Sequence, residues 1–288
     1  MPGNRVFVIC GSLNSKVTDK VSDEVQEWNL EDHTVRLCQR IPHARTSAAC
    51  YFHGRFIYVV GGNVANSQST DSVCKLDIYT RKWTQMPSLC EQRANAGTMV
   101  IGDYLYAFGG FQTGSFGQVG VASYERLHLS NPDAKWEIQI FCEGSIEMGK
   151  VACFYLIDIT NYLQASAKES EKALAKSAAD ENSGVEQTIM FIGGWSKTNY
   201  LTKINLFYPK QNLLTSWTNQ GHILGLQEPD MVTKRPIFYK DCLYVLGRHH
   251  IHVIDLKNKT TSIQKLNGEN KALEVASTAR LVFETLED

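Results

Sequence analysis

The sequence predicts an all-β fold built from repeated small sheets, and three observations carry that reading. A five-residue apolar strand ending in glycine recurs along the 288 residues. Most recurrences share a period of about 50 residues. Large apolar residues seven apart mark a further hairpin after most of these strands. Short strands with turn signals at such spacing argue for β structure throughout. Inner strands that are apolar at nearly every position are buried on both faces, as when twisted sheets stack around an axis.

The recurring strand appears first as Val6–Cys10 before Gly11, then as Phe56–Val60 before Gly61-Gly62 and Tyr104–Phe108 before Gly109-Gly110. It returns as Thr188–Ile192 before Gly193-Gly194, and as Cys242–Leu246 before Gly247. First glycines at 11, 61, 109, 193 and 247 give gaps of 50, 48, 84 and 54, the long gap holding an insertion of about 30 residues. Upstream lies a second apolar run with a tight turn, as in Cys50–Gly54, Thr98–Gly102 and Ile237–Asp241. Downstream come a polar loop and a hairpin marked by Leu76 and Trp83, Leu129 and Trp136, and Phe207 and Leu214, with Trp28 and Val35 in the same places in the first unit. The first unit starts at its glycine-terminated strand and so lacks an innermost one. Residues 276–284, with Leu281-Val282-Phe283, remain after the fifth unit and have the missing strand's character. The expectation is a ring closed by the C-terminal strand, which leaves no exposed edge between the chain ends.

A glycine pair after an apolar strand, an arginine sixteen residues before it (Arg45 for Gly61, Arg93 for Gly109) and a later tryptophan resemble kelch repeats. The resemblance covers nearly the whole chain outside the insertion, with two good units, one split and two degenerate. It implies a kelch-type β-propeller of four-stranded blades. Five blades are counted, six being the family's commoner number and the alternative, in a single domain over residues 1–288.

With strands named A to D from the axis outward, the arginines precede strand A and the glycine pairs follow strand B, at one mouth of the central channel. The resemblance implies that this mouth holds a partner peptide. Arg45 and Arg93 match the family's mouth arginines, and Asn63, Phe111 and Trp195, each directly after a glycine pair, match its contact position. Two guanidiniums suit carboxylates, and aromatic rings offer flat apolar area, so an acidic or phosphorylated segment is the expected guest. The alternative is that these arginines make structural hydrogen bonds between blades. Met231 and Lys150 depart from the arginine pattern. The glycine pairs are read as structural, since glycine permits positive φ and close backbone approach.

The insertion, residues 161–187, joins strands A and B of the fourth blade. Its Ala, Lys and Glu content favours helix, and its Ser and Asn182-Ser183-Gly184 favour frayed or disordered ends. His249, His250 and His252 are read as a strand B to strand C hairpin rather than a metal site, because no Cys or carboxylate pair accompanies them. The eight cysteines are scattered without a Cys-x-x-Cys pair, against a disulfide framework or zinc site. A net charge of −1 and the lack of a dense Lys/Arg run argue against nucleic acid. No apolar run suits a membrane span, and the first twenty residues lack a secretory pattern, so a cytoplasmic protein is expected.

Function follows as a non-enzymatic interaction module or scaffold that holds another protein, with no cofactor, within a larger complex of cytoskeletal or ubiquitin-ligase type. The competing class is a kelch-type enzyme such as a sugar mutarotase, whose acid–base pair can come from distant loops.

Overall fold

Each glycine-terminated strand lies within a four-stranded antiparallel sheet. The computed structural model describes residues 5–11, 21–114, 117–140, 155–160, 187–192, 204–216, 218–219, 222–223, 237–239, 241–246, 250–258, 260–265 and 280–283. The first sheet holds β1 (Arg5–Ile9), β2 (Val25–Asn29) and β3 (Val35–Leu37). The second holds β4 (Ala49–His53), β5 (Phe56–Val60), β6 (Val73–Asp77) and β7 (Trp83–Gln85). The third holds β8 (Gly97–Ile101), β9 (Tyr104–Phe108), β12 (Ser123–His128) and β13 (Glu137–Ile140), with a hairpin of β10 (Phe111–Gly114) and β11 (Gly117–Gly120) between β9 and β12. The fourth holds β14 (Tyr155–Asp158), β15 (Ile189–Ile192), β16 (Ile204–Tyr208) and β17 (Leu213–Ser216), followed by a small hairpin of β18 (Thr218–Asn219) and β19 (His222–Ile223). The fifth holds β20 (Ile237–Tyr239), β21 (Cys242–Leu246), β22 (His250–Asp255) and β23 (Thr260–Lys265). The last strand, β24 (Arg280–Phe283), pairs antiparallel with β1 and becomes the fourth strand of the first sheet. Antiparallel four-stranded sheets repeated in this way fit a β-propeller.

The chain divides into two compact units, one with the first three sheets and β24, the other with the fourth and fifth. In the first unit, Phe7, Ile9 and Val25 of the first sheet pack against Ile57, Val59, Cys74 and Leu76 of the second. The second sheet's opposite face, with Tyr58, Val60 and Val73, packs against Leu105, Ala107, Leu127 and Trp136 of the third. Burial on both faces is what the continuous apolar run of β5 encodes, and each fully buried large side chain contributes about 2 kcal/mol. A tryptophan near the outer strand ties neighbours together. The Trp83 indole donates to the Gln39 carbonyl, and that of Trp136 to the Pro87 carbonyl, both at 2.8 Å, in the connection leaving the preceding sheet. Val35 holds this place in the first sheet, opposite Trp28. The second unit has its own core, in which Met190, Ile192, Ile204 and Leu206 meet Leu243, Ile254 and Leu256.

Three of the four seven-apart pairs are cross-strand partners: Leu76 with Trp83, Phe207 with Leu214 and Trp28 with Val35. The fourth differs. β12 pairs with β13 through Arg126 and Glu137, so Leu127 is level with Trp136 and Leu129 lies in the longer turn that follows β12. A second difference lies in the first unit. Gly11 donates to the Arg45 carbonyl as Gly62 does to the Arg93 carbonyl, so Gly11 corresponds to the second glycine of a pair. Cys10 occupies the first glycine's place, with φ of 62° against 59° at Gly61. His250 and His252 belong to β22, the third strand of its sheet. The insertion lies outside the described residues except for Gln187.

Candidate partner-binding site

The turn after β5 shows why a glycine pair recurs here. A Cβ on Gly61 would stand 2.1 Å from the Arg93 carbonyl oxygen, and one on Gly62 would stand 2.7 Å from that of Thr46. Both residues have positive φ, at 59° and 110°, where side chains are strained. The main chain therefore passes close enough for Gly62 N to donate to the Arg93 carbonyl at 2.9 Å, joining the second sheet to the segment leading into the third.

The arginine side chains face back into their own sheets. Arg45 Nη1 donates to the carbonyls of Gly61 (3.1 Å) and Ser72 (2.9 Å), Nη2 to Ser72 Oγ (3.0 Å), and Nε to the His43 carbonyl (3.0 Å). Arg93 Nη1 repeats the pattern on the carbonyls of Gly109 (2.9 Å) and Ser123 (3.0 Å), and Nη2 donates to Ser123 Oγ (3.0 Å). Each guanidinium thus bridges the end of the second strand to the start of the third within one sheet. The two sites differ in what stands nearby. Arg93 also pairs with Glu125 at 2.7 Å and Glu91 at 3.2 Å, and Ser123 Oγ donates to Glu91. Glu125 further accepts the main-chain N–H groups of Cys90 (2.6 Å) and Glu91 (3.1 Å). By strand register the residue matching Glu125 in the second sheet is Cys74, whose thiol burial pushes up to about 12 despite the Arg45 guanidinium nearby. Burial raises the Cys10 thiol as well, so both stay protonated and unreactive at neutral pH.

The arginine, glycine-pair and following residues do converge at one end of the sheets, but their exposure differs from a contact surface. Arg45, Arg93 and Phe111 are 0% exposed. Phe111 and Ala94 exchange main-chain hydrogen bonds at 2.8 Å, as Asn63 and Thr46 do at 2.7 and 2.8 Å. Of the contact residues expected from the sequence, Asn63 is half-buried and accepts from Ser69 Oγ on its side-chain oxygen at 3.2 Å. Trp195 lies outside the described residues. The bonds of Arg45 and Arg93 are of the structural kind, made within a sheet rather than between sheets. With their guanidiniums closed off from solvent, they have no surface to offer a carboxylate or phosphate.

The β10–β11 hairpin carries exposed Gln112 opposite Val119, which is 63% exposed. It is anchored to the loop of the second sheet through Ser69, whose Oγ accepts from Thr113 N at 2.8 Å and donates to the Phe111 carbonyl at 3.1 Å. Ser69, Ser72, Ser123 and Glu125 were not singled out from the sequence. A carboxylate inside the apolar run Val121–Leu127, downstream of a matching arginine, was the available signal for Glu125. Among the described residues no group of three or more His, Cys, Asp or Glu side chains could hold a metal ion, and no helix is long and apolar enough to cross a membrane.

Repeated four-stranded sheets, two of them with arginine-clamped glycine turns, fit the class of propeller-type repeat proteins. Residues 44–89, which contain most of the second sheet's clamp, match the family model described as Kelch motif. An F-box/kelch-repeat protein of Arabidopsis thaliana is 25% identical over 118 residues, covering 35% of this chain. That match spans 28% of the relative's length. Both findings support the kelch-repeat family, and the repeat falls where arginine, glycine pair and tryptophan stand together.

Proposed function

We propose that this chain is a non-enzymatic protein-binding module whose partner contacts the loops at the glycine-pair end of the sheets. Kelch repeats generally mediate protein–protein interaction, and the exposed β10–β11 hairpin beside Asn63 is the observation that carries the reading here. In this proposal Arg45, Arg93 and Phe111 set the shape of the surface, while Asn63, Gln112 and Val119 meet the partner. Amide groups and one aliphatic side chain suit a neutral polar segment with an apolar anchor better than an acidic or phosphorylated one. In this proposal the five sheets are five blades, with β24 completing the first. The setting is cytoplasmic, and the F-box/kelch relative's name favours a ubiquitin-ligase type of complex over a cytoskeletal one.

The test is quantitative affinity capture with the full chain and one double variant, each first checked by thermal melting. Gln112→Ala/Val119→Glu is expected to lose partners that the wild type holds. Retention of the same partners by that well-folded double variant would refute the assignment of this surface.

A further inference from the structure

The opposite ends of the first two sheets carry a group of side chains that the kelch pattern does not call for. Arg5 opens β1, Arg55 sits in the turn between β4 and β5, and Tyr79 and Arg81 sit in the turn after β6. Strand direction places all of them away from the glycine turns. Tyr79 is 61% exposed, and its ring lies beside two cations, with the Arg55 guanidinium carbon 5.5 Å and that of Arg5 5.9 Å from its centroid. Arg55 also lies 5.6 Å from the Phe56 ring, which Lys75 Nζ approaches to 4.6 Å.

Two carboxylates hold the group in place without matching its charge. Asp77 pairs with Arg55 and accepts the main-chain N–H groups of Tyr79 (3.0 Å) and Thr80 (3.2 Å), which fixes the turn that presents the ring. Glu27, nearly buried, pairs with both Arg5 (3.2 Å) and Arg81 (3.3 Å). Three arginines therefore share two carboxylates, with Lys75 beside them and exposed Lys82 next in the chain. Arg81 Nε, shielded from water, donates to no acceptor. On the neighbouring turn, Asp32 is engaged by the N–H and hydroxyl of Thr34.

We propose that this cation–aromatic cluster is a second docking surface, for an acidic segment of a partner protein. Arginine forks bind carboxylates with two hydrogen bonds, and a tyrosine ring held beside them gives a flat wall that needs no ordering on binding. Tyr and Arg are also the side chains that most often dominate binding energy at protein interfaces. The surface is independent of the glycine-pair end, so each can fail without the other.

The experiment uses the full chain and a fluorescein-labelled octaglutamate peptide, followed by anisotropy at low salt, with a single-stranded oligo-dT of matching charge as competitor. Saturable peptide binding is expected, falling about tenfold in Tyr79→Ala and in Arg55→Gln, and weakening as salt rises. Tyr79→Phe keeps the ring and retains binding. Absence of saturable binding, wild-type affinity in folded Tyr79→Ala and Arg55→Gln, or loss of binding in Tyr79→Phe would overturn the proposal. Tighter binding of the oligonucleotide than of the peptide would overturn the assignment to an acidic protein segment.

Discussion

The second and third sheets place an arginine at the same point and use it in two different ways. Arg45 meets only carbonyls and a serine hydroxyl, with Cys74 alongside, while Arg93 meets the same neutral acceptors and a fully buried carboxylate as well. The first is a hydrogen-bond clamp with an unmatched charge. The second is a buried ion pair whose members depend on each other. The difference teaches that the repeat conserves the geometry of the clamp across two sheets but not its electrostatics. A buried carboxylate and its arginine are costly to separate, whereas a clamp on neutral acceptors loses only its hydrogen bonds.

Removing each arginine in turn tests this most directly. Arg93→Met leaves Glu125 buried without its cation and is expected to destabilise by about 3–5 kcal/mol in urea unfolding. Arg93→Met/Glu125→Met should recover part of that loss. Arg45→Met leaves carbonyls and a hydroxyl unsatisfied and is expected to cost about 2 kcal/mol. Equal losses for the two single variants would erase the distinction.

Two turn substitutions sharpen the comparison on a smaller scale. Gly61→Ala, with its methyl aimed at the Arg93 carbonyl, is expected to lower stability by about 2–3 kcal/mol. Cys10, in the matching turn beside Arg45, already carries a side chain at positive φ. Cys10→Gly is therefore expected to raise stability by about 1 kcal/mol, read as a higher melting temperature. A loss in that variant would mean that the thiol's packing outweighs the backbone strain.

The gentlest test lies at the other end of the second sheet. A hydrogen bond from Arg55 lowers the Asp77 carboxyl from 3.8 to about 2. A carboxylate whose folded value is depressed contributes stability above its unfolded value, and loses it as pH falls through the folded one. Carbon-detected NMR titration is expected to place the Asp77 midpoint near pH 2. Arg55→Gln should move it back towards 3.8. An unmoved midpoint would show that the turn's N–H groups, not the arginine, set it.

Strand positions were legible because each glycine-terminated run is apolar at nearly every step, and only burial on both faces accounts for that pattern in β5 and β9. The arginines were legible as a pair but not in their direction. Sequence gives the side chain's chemistry, while the fold of Arg45 back onto Gly61 depends on which carbonyls the turn leaves open. Cys10 was misplaced by one position because only the dihedral angle separates it from an ordinary strand residue. Leu129 was taken for the partner of Trp136 because spacing alone does not reveal a lengthened turn. The basic cluster around Tyr79 was not legible, since Arg5, Arg55 and Tyr79 lie far apart in the chain and share no motif.

The indole bonds of Trp83 and Trp136 reach back to the connection leaving the sheet before. The second and third repeats thus carry the donor half of this junction bond, and its acceptor is a main-chain carbonyl, which any sequence supplies. A duplicated repeat can therefore dock behind an existing one without complementary change in the older copy. Arrays of this kind can lengthen by copying alone, with the side chains of each junction free to diverge afterwards.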